Sequence, residues 1–156
     1  MGNYIAEVRS EAIRRERQVR PGGRILNEHS HSVGLEGEYA FSLYSGLPID
    51  LSARPAGDCG VDFVLPTTLG DFNVDVKTAT HLPPWLLVPV DECREMTIYV
   101  LASYVGDVGK LWGWEWGKRV KKGERGRFAR EDMENYRLMV KDLRPMLDLL
   151  LALRPK

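Results

Sequence analysis

Gly60-Val61-Asp62-Phe63-Val64 and Phe72-Asn73-Val74-Asp75-Val76-Lys77-Thr78 are the two stretches that decide how this chain is read. Both alternate apolar and polar residues, which is the period of a half-buried β-strand. The turn-like Pro66-Thr67-Thr68-Leu69-Gly70-Asp71 lies between them, so the pair reads as a hairpin. Placing Asp62 opposite Asp75 puts both carboxylates on one face. Lys77 joins them two residues on, because strand side chains alternate. Val61, Phe63, Phe72, Val74 and Val76 then fill the other face. Like charges directly opposite each other on a sheet are destabilising. A divalent cation between the two carboxylates reverses that sign, which is the physical case for a metal site. An ordinary cross-strand charge set on a surface hairpin has the same spacing.

Upstream, Val33, Ala40, Phe41 and Tyr44 give a helix over about 33 to 45 a buried stripe, and Gly46-Leu47-Pro48 ends it. Gly34 and Gly37 cost helix propensity, which points to close packing against another backbone. Glu36 and Glu38 lie about 200° apart around this helix, so only one of them can face the hairpin. Further upstream, Tyr4, Ile5, Val8, Ala12 and Ile13 predict a helix over residues 3 to 18, ended by Pro21-Gly22-Gly23. Residues 24 to 32 and 49 to 58 read as connections.

Downstream, His81 to Pro84 is a loop, and Trp85 to Val90 is an edge strand because of its flanking prolines. Thr97 to Tyr104 is the longest strand-like run and belongs at the centre of the sheet. Gly106 to Gly109 turns the chain, and Lys110 to Trp114 forms another strand. A short helix starts within 115 to 121, and 122 to 135 is a basic, then acidic, loop. Tyr136 to Val140 is a short strand, Asp142 to Pro145 a turn, and Met146 to Leu153 a closing helix. Trp112, Trp114 and Trp116, at period two, fall on one face; they are core residues or a base-stacking surface. The expected architecture is α/β, a mixed β-sheet flanked by helices, in a single domain spanning 1–156 with a basic helical arm over 1–24.

Net charge is zero, which argues against a generally basic nucleic-acid binder. Its distribution is uneven. Six arginines against three glutamates give residues 1 to 24 a net +3, and eight cations against two glutamates give 110 to 130 a net +6. Residues 58 to 75 carry four aspartates and no lysine or arginine. Acids that hold cations, flanked by bases that hold a polymer's phosphates, suit a metal-dependent phosphodiesterase. No apolar run is long enough to span a membrane, and the charged N-terminus is no secretory signal. Cys59 and Cys93 form no CxxC and no zinc set with His29, His31 and His81, so a reduced cytoplasmic setting is expected.

The order of a glutamate on a helix (Glu38, within Gly34 to Phe41), an aspartate on a strand (Asp62) and Asp75-Val76-Lys77 on the next strand resembles the core of the PD-(D/E)XK nuclease superfamily, the restriction-endonuclease-like fold. The ending Asn135-Tyr136-Arg137-Leu138 and Asp142-Leu143-Arg144-Pro145-Met146 is similar to a compact branch found in phages and prophages. The resemblance covers roughly residues 30 to 150, and departs from the family at Val61, which stands where the family carries proline.

The expected chemistry is hydrolysis of DNA phosphodiester bonds by an endodeoxyribonuclease that uses Mg²⁺, with Mn²⁺ able to substitute. Asp62 and Asp75 would be direct metal ligands. The resemblance adds the Val76 carbonyl as a third ligand, and Glu38 for a second metal or a coordinated water. Lys77 would orient the attacking water and stabilise developing charge; taking a proton would require a strongly lowered pKa. Thr78 and the basic residues Lys118, Arg119, Lys121, Lys122, Arg125 and Arg127 are the candidate DNA contacts. The expected substrate is double-stranded or branched DNA, RNA being an open alternative, and the resemblance implies a homodimer and, for a phage gene, the host cytoplasm. Two further readings belong to other classes: a nuclease-fold binding module with little turnover, and an assembly subunit that cuts only with partners.

Overall fold

Ile98-Tyr99-Val100-Leu101-Ala102-Ser103 carries no charge and is buried at every position, so both faces of this strand must be covered. The computed structural model describes residues 28–49 and 60–152, with the side chains of 28–32 left aside, and supplies both covers. The N-terminal arm 1–24, the helix expected over 3–18, and Cys59 lie outside the described residues.

In chain order the described elements are α1 (Glu28–Ser45), β1 (Phe63–Thr67), β2 (Gly70–Ala79), β3 (Trp85–Pro89), β4 (Ile98–Val105), β5 (Val108–Trp116) and α2 (Gly117–Val120). They continue with β6 (Glu124–Arg130), β7 (Met133–Met139), a 3-10 turn (Val140–Asp142) and α3 (Met146–Leu151). The first sheet has strand order β1-β2-β4-β5. It is mixed: β1–β2 and β4–β5 are antiparallel, and β2 runs parallel to β4. The second sheet, β3-β7-β6, is antiparallel.

The molecule is therefore mixed α/β, and among the described residues α1 and α3 cover one face of the first sheet while the other face is covered mainly by a second sheet. One face of the first sheet packs Phe63, Val74, Ile98, Val100 and Trp114 under Phe41 of α1 and Leu149 of α3. The other packs Tyr99 and Leu101 against Leu86 and Val88 of β3, with Tyr136 and Leu138 of β7 alongside. A second sheet thus stands where a helical layer was expected. The reason is in residues 122 to 135: they form no loop but the β6–β7 hairpin, whose exposed strand β6 is too charged to show an apolar period.

Several local expectations shift. α1 begins at Glu28, inside the segment read as a connection, and ends at Gly46, whose φ of 75° suits glycine and whose N–H bonds Ser42 O at 2.9 Å. The β1–β2 turn is only Thr68-Leu69, because Thr67 pairs with Gly70 and Pro66 is tolerated on the edge strand. Gly37 does meet another backbone's side chains: a Cβ there would lie 2.0 Å from Thr78 Oγ1 and 3.1 Å from Ala102 Cβ. Gly34 meets nothing within 4 Å. The tryptophans do not share a face. The β4–β5 register shifts between Leu101 and Ala102, so Trp112 turns to the second sheet while Trp114 and Trp116 pack under α1 and α3.

Candidate metal and phosphodiester site

β2 delivers the centre of the site. Asp75 and Lys77 project from the face opposite α1, and Lys77 Nζ sits 2.9 Å from Asp75 Oδ2. Asp75 is 6% exposed, and its neighbour across β4 is Tyr99. Gly60, at φ 73°, passes beside it; a Cβ there would already touch Asp75 Oδ2 at 3.4 Å.

Asp62 reaches the same place by a different geometry from the one expected. It is not a ladder partner of Asp75, because the β1–β2 register stops at Phe63 and Val74. Its N–H reaches Val74 O at 2.9 Å, and its carboxylate Oδ2 accepts the Val76 N–H at 2.7 Å. The strand splays there, as at a bulge, and a side chain takes the place of the main-chain partner. Strand residues point N–H and C=O the same way, so the Val76 carbonyl faces the same open edge as Asp62.

Burial presses the Lys77 ammonium toward its neutral form. The Asp75 carboxylate and its hydrogen bond, with help from Asp62 and Glu92, outweigh that and hold the pKa above the ordinary lysine value. In this arrangement Lys77 is a fixed cation at neutral pH, fitted to orient and stabilise charge, not to remove a proton. Glu92, on the turn between β3 and β4, was not singled out in the sequence. Its charge reaches Lys77 only as a smaller electrostatic contribution, through a turn that no spacing rule foretells. Tyr99 was equally unmarked, although a fully buried phenol near the start of the central strand must find a hydrogen-bond partner. Its hydroxyl accepts the Arg94 N–H at 3.0 Å and donates to Glu92 O at 3.4 Å, and burial pushes its pKa up.

The other candidates are placed as follows. Glu38 is 7% exposed on α1. Gly37 fixes that helix against β2 and β4, on the opposite face of the sheet from Asp75 and Lys77. The Glu36 carboxylate acts electrostatically on Tyr104 near the β4–β5 turn, and helix geometry places Glu38 about 200° around α1 from it. Thr78 does not share a face with Lys77. Its side chain is packed beneath Gly37, where a DNA phosphate cannot reach. His81 bonds Pro83 O and the Trp85 indole N–H within its own loop.

In the basic segment, Arg119 lies 3.6 Å from the buried Glu115 and Lys121 lies 3.7 Å from Glu95. Arg125 is engaged with Glu134. Lys118, Lys122 and Arg127 make no ion pair among the described residues. Arg125 and Arg127 line a groove of about 300 Å³ with Asp91, Glu92 and Glu134, so their surroundings are more acidic than the sequence run implied.

Among the described residues no three His, Cys, Asp or Glu side chains come together as a metal cluster, so Glu38 does not complete a triad with Asp62 and Asp75. A Mg²⁺ ion is held by as few as one or two carboxylates, waters and substrate oxygens filling the remaining positions. Asp62, Asp75 and the Val76 carbonyl are the oxygens that would be offered to such an ion. No described helix is long and apolar enough to cross a membrane. In comparison with known proteins, no family model, no curated protein and no solved structure matches this chain.

Proposed function

We propose that this chain is a metal-dependent endodeoxyribonuclease with a restriction-endonuclease-like core, of the kind that phages and mobile elements encode. The observation that carries the reading is the single cluster of Asp75, Lys77 at 2.9 Å and Asp62 anchored across Val76, at the splayed end of a hairpin. The parallel pairing of β2 with β4 beside that hairpin is compatible with the PD-(D/E)XK order. Mg²⁺ or Mn²⁺, when bound, would supply charge neutralisation at the phosphate and an activated water. The chain's own residues do the rest. Asp62 and Asp75 would hold the cation, which would compete with Lys77 for the Asp75 carboxylate, and the Lys77 ammonium would stabilise charge at the scissile phosphate.

A second reading has its own support. With no three-ligand acidic cluster among the described residues, the same fold could serve as a DNA-binding or assembly subunit with partner-dependent cutting. Incubation of supercoiled plasmid and branched DNA with Mg²⁺, Mn²⁺ or EDTA separates the two. Metal-dependent cutting lost in Asp75→Asn and Lys77→Ala is the outcome expected of the nuclease. DNA binding without cutting under any metal favours the second reading.

A further inference from the structure

The turn between β3 and β4 ties the acid pair to the basic segment. Tyr99, the β4 neighbour of Asp75, holds this turn through its buried hydroxyl, which bonds Arg94 N–H and Glu92 O. The turn in its own right holds α2. Lys118 N–H reaches Glu95 O at 3.0 Å, Gly117 N–H reaches Thr97 O at 2.8 Å, and the Lys121 ammonium lies 3.7 Å from Glu95. The contact is too close for any side chain at Gly117. A Cβ there would fall 1.8 Å from Arg94 O and 3.1 Å from the Tyr99 ring. The buried Cys93 thiol of this turn lies within electrostatic reach of Lys121 and of Lys77 and Asp75 alike. Of the cations on and just after α2, Arg119 and Lys121 are committed to glutamates. Lys118 and Lys122 are exposed and carry no ion pair among the described residues.

We infer that the substrate is a polymer engaged at two points at a fixed separation. The phosphate to be cut sits at Asp62, Asp75 and Lys77, and a flanking phosphate sits at Lys118 and Lys122. Tyr99 is the positioning residue that fixes the distance between them. The inference rests on the nuclease reading. A small diester reaches only the first point and gains nothing from the second.

The test measures kcat and KM in Mn²⁺ for a DNA duplex and for bis(p-nitrophenyl) phosphate. Tyr99→Phe should raise KM for the duplex about tenfold, the factor carried by one hydrogen bond's worth of alignment, with kcat held. KM for the small diester should stay put. Lys118→Gln with Lys122→Gln should raise the duplex KM likewise and lower the slope of log affinity against log salt by about two. Tyr104→Phe, which removes the hydroxyl bonded to Asp107 at the far end of the same strand, is the control and should change neither. If Tyr99→Phe melts well below wild type, the lysine pair decides alone. An unchanged duplex KM in these variants, or an equal rise on both substrates, overturns the inference and leaves the nuclease standing. A wild-type protein that cuts neither substrate overturns both.

Discussion

At the scale of single residues, the Asp75–Lys77 pair has a stability signature of its own. The folded-state pKa of Lys77 is raised above 10.5, its value in the unfolded chain. The pair's contribution is therefore complete below that pH and is lost as pH rises through the raised value. Thermal melts from neutral into alkaline solution should show wild type losing more stability than Lys77→Met over that window. Tyr99 titrates in the same direction, so the difference between the two curves isolates Lys77. Gly37 supplies a second expectation. Gly37→Ala should destabilise by about 1–3 kcal/mol, because its methyl group meets Thr78 Oγ1 and Ala102. Thr78 Oγ1 is buried with no hydrogen-bond partner, so Thr78→Ala alone should cost little and should recover part of the Gly37→Ala loss, read as a double-mutant cycle in urea. Period-two alternation made Asp75 and Lys77 legible in the sequence, and the cost of glycine in a helix made Gly37 legible. Glu92 and the side-chain bond from Asp62 to Val76 N–H were not, because a turn and a splayed strand end bring them in.

At the scale of elements, β6 escaped the sequence reading, and β7 was read only from Tyr136 onward, for a physical reason. β7 turns Tyr136 and Leu138 into the core, whereas β6 is held by charge and ring contacts and has no apolar face. Arg137 lies between Trp85 and Phe128, 4.6 and 4.0 Å from the ring centres, and its NH2 bonds Glu124 at 2.6 Å. Gly126 leaves room for the Phe128 ring, whose atoms come within 2.9 Å of a Cβ built there. Phe128→Ala should cost about 1 kcal/mol in lost cation–π stabilisation. Its mark would be faster amide hydrogen exchange in β6 and unchanged exchange in β4. The tryptophan strand was misread because a register shift is invisible to periodicity, and one inserted residue moves Trp112 to the other face. The hairpin β1–β2, the central β4 and the edge strand β3 were all readable, since apolar pattern and proline placement fixed each of them locally.

At the scale of the whole molecule, β4 belongs to both cores. Val100 packs under α1, and Tyr99 and Leu101 pack against the second sheet. The two layers should therefore unfold together. Far-ultraviolet circular dichroism and tryptophan fluorescence, which samples Trp85 on one sheet and Trp114 and Trp116 on the other, should give one coincident urea transition. A mixed α/β domain was legible from the alternation of helical and strand periods, but the second sheet as the covering layer was not, since its outer strand carries no apolar pattern. The central claim is that Asp62 and Asp75 hold a divalent cation that competes with Lys77 for the Asp75 carboxylate. Calorimetric titration of the protein with Mn²⁺ tests it most directly. The expected result is a metal site weakened at least about tenfold in Asp75→Asn and tightened in Lys77→Met, where the competing ammonium is gone. No Mn²⁺ binding, or equal binding by wild type and Asp75→Asn, would contradict the account.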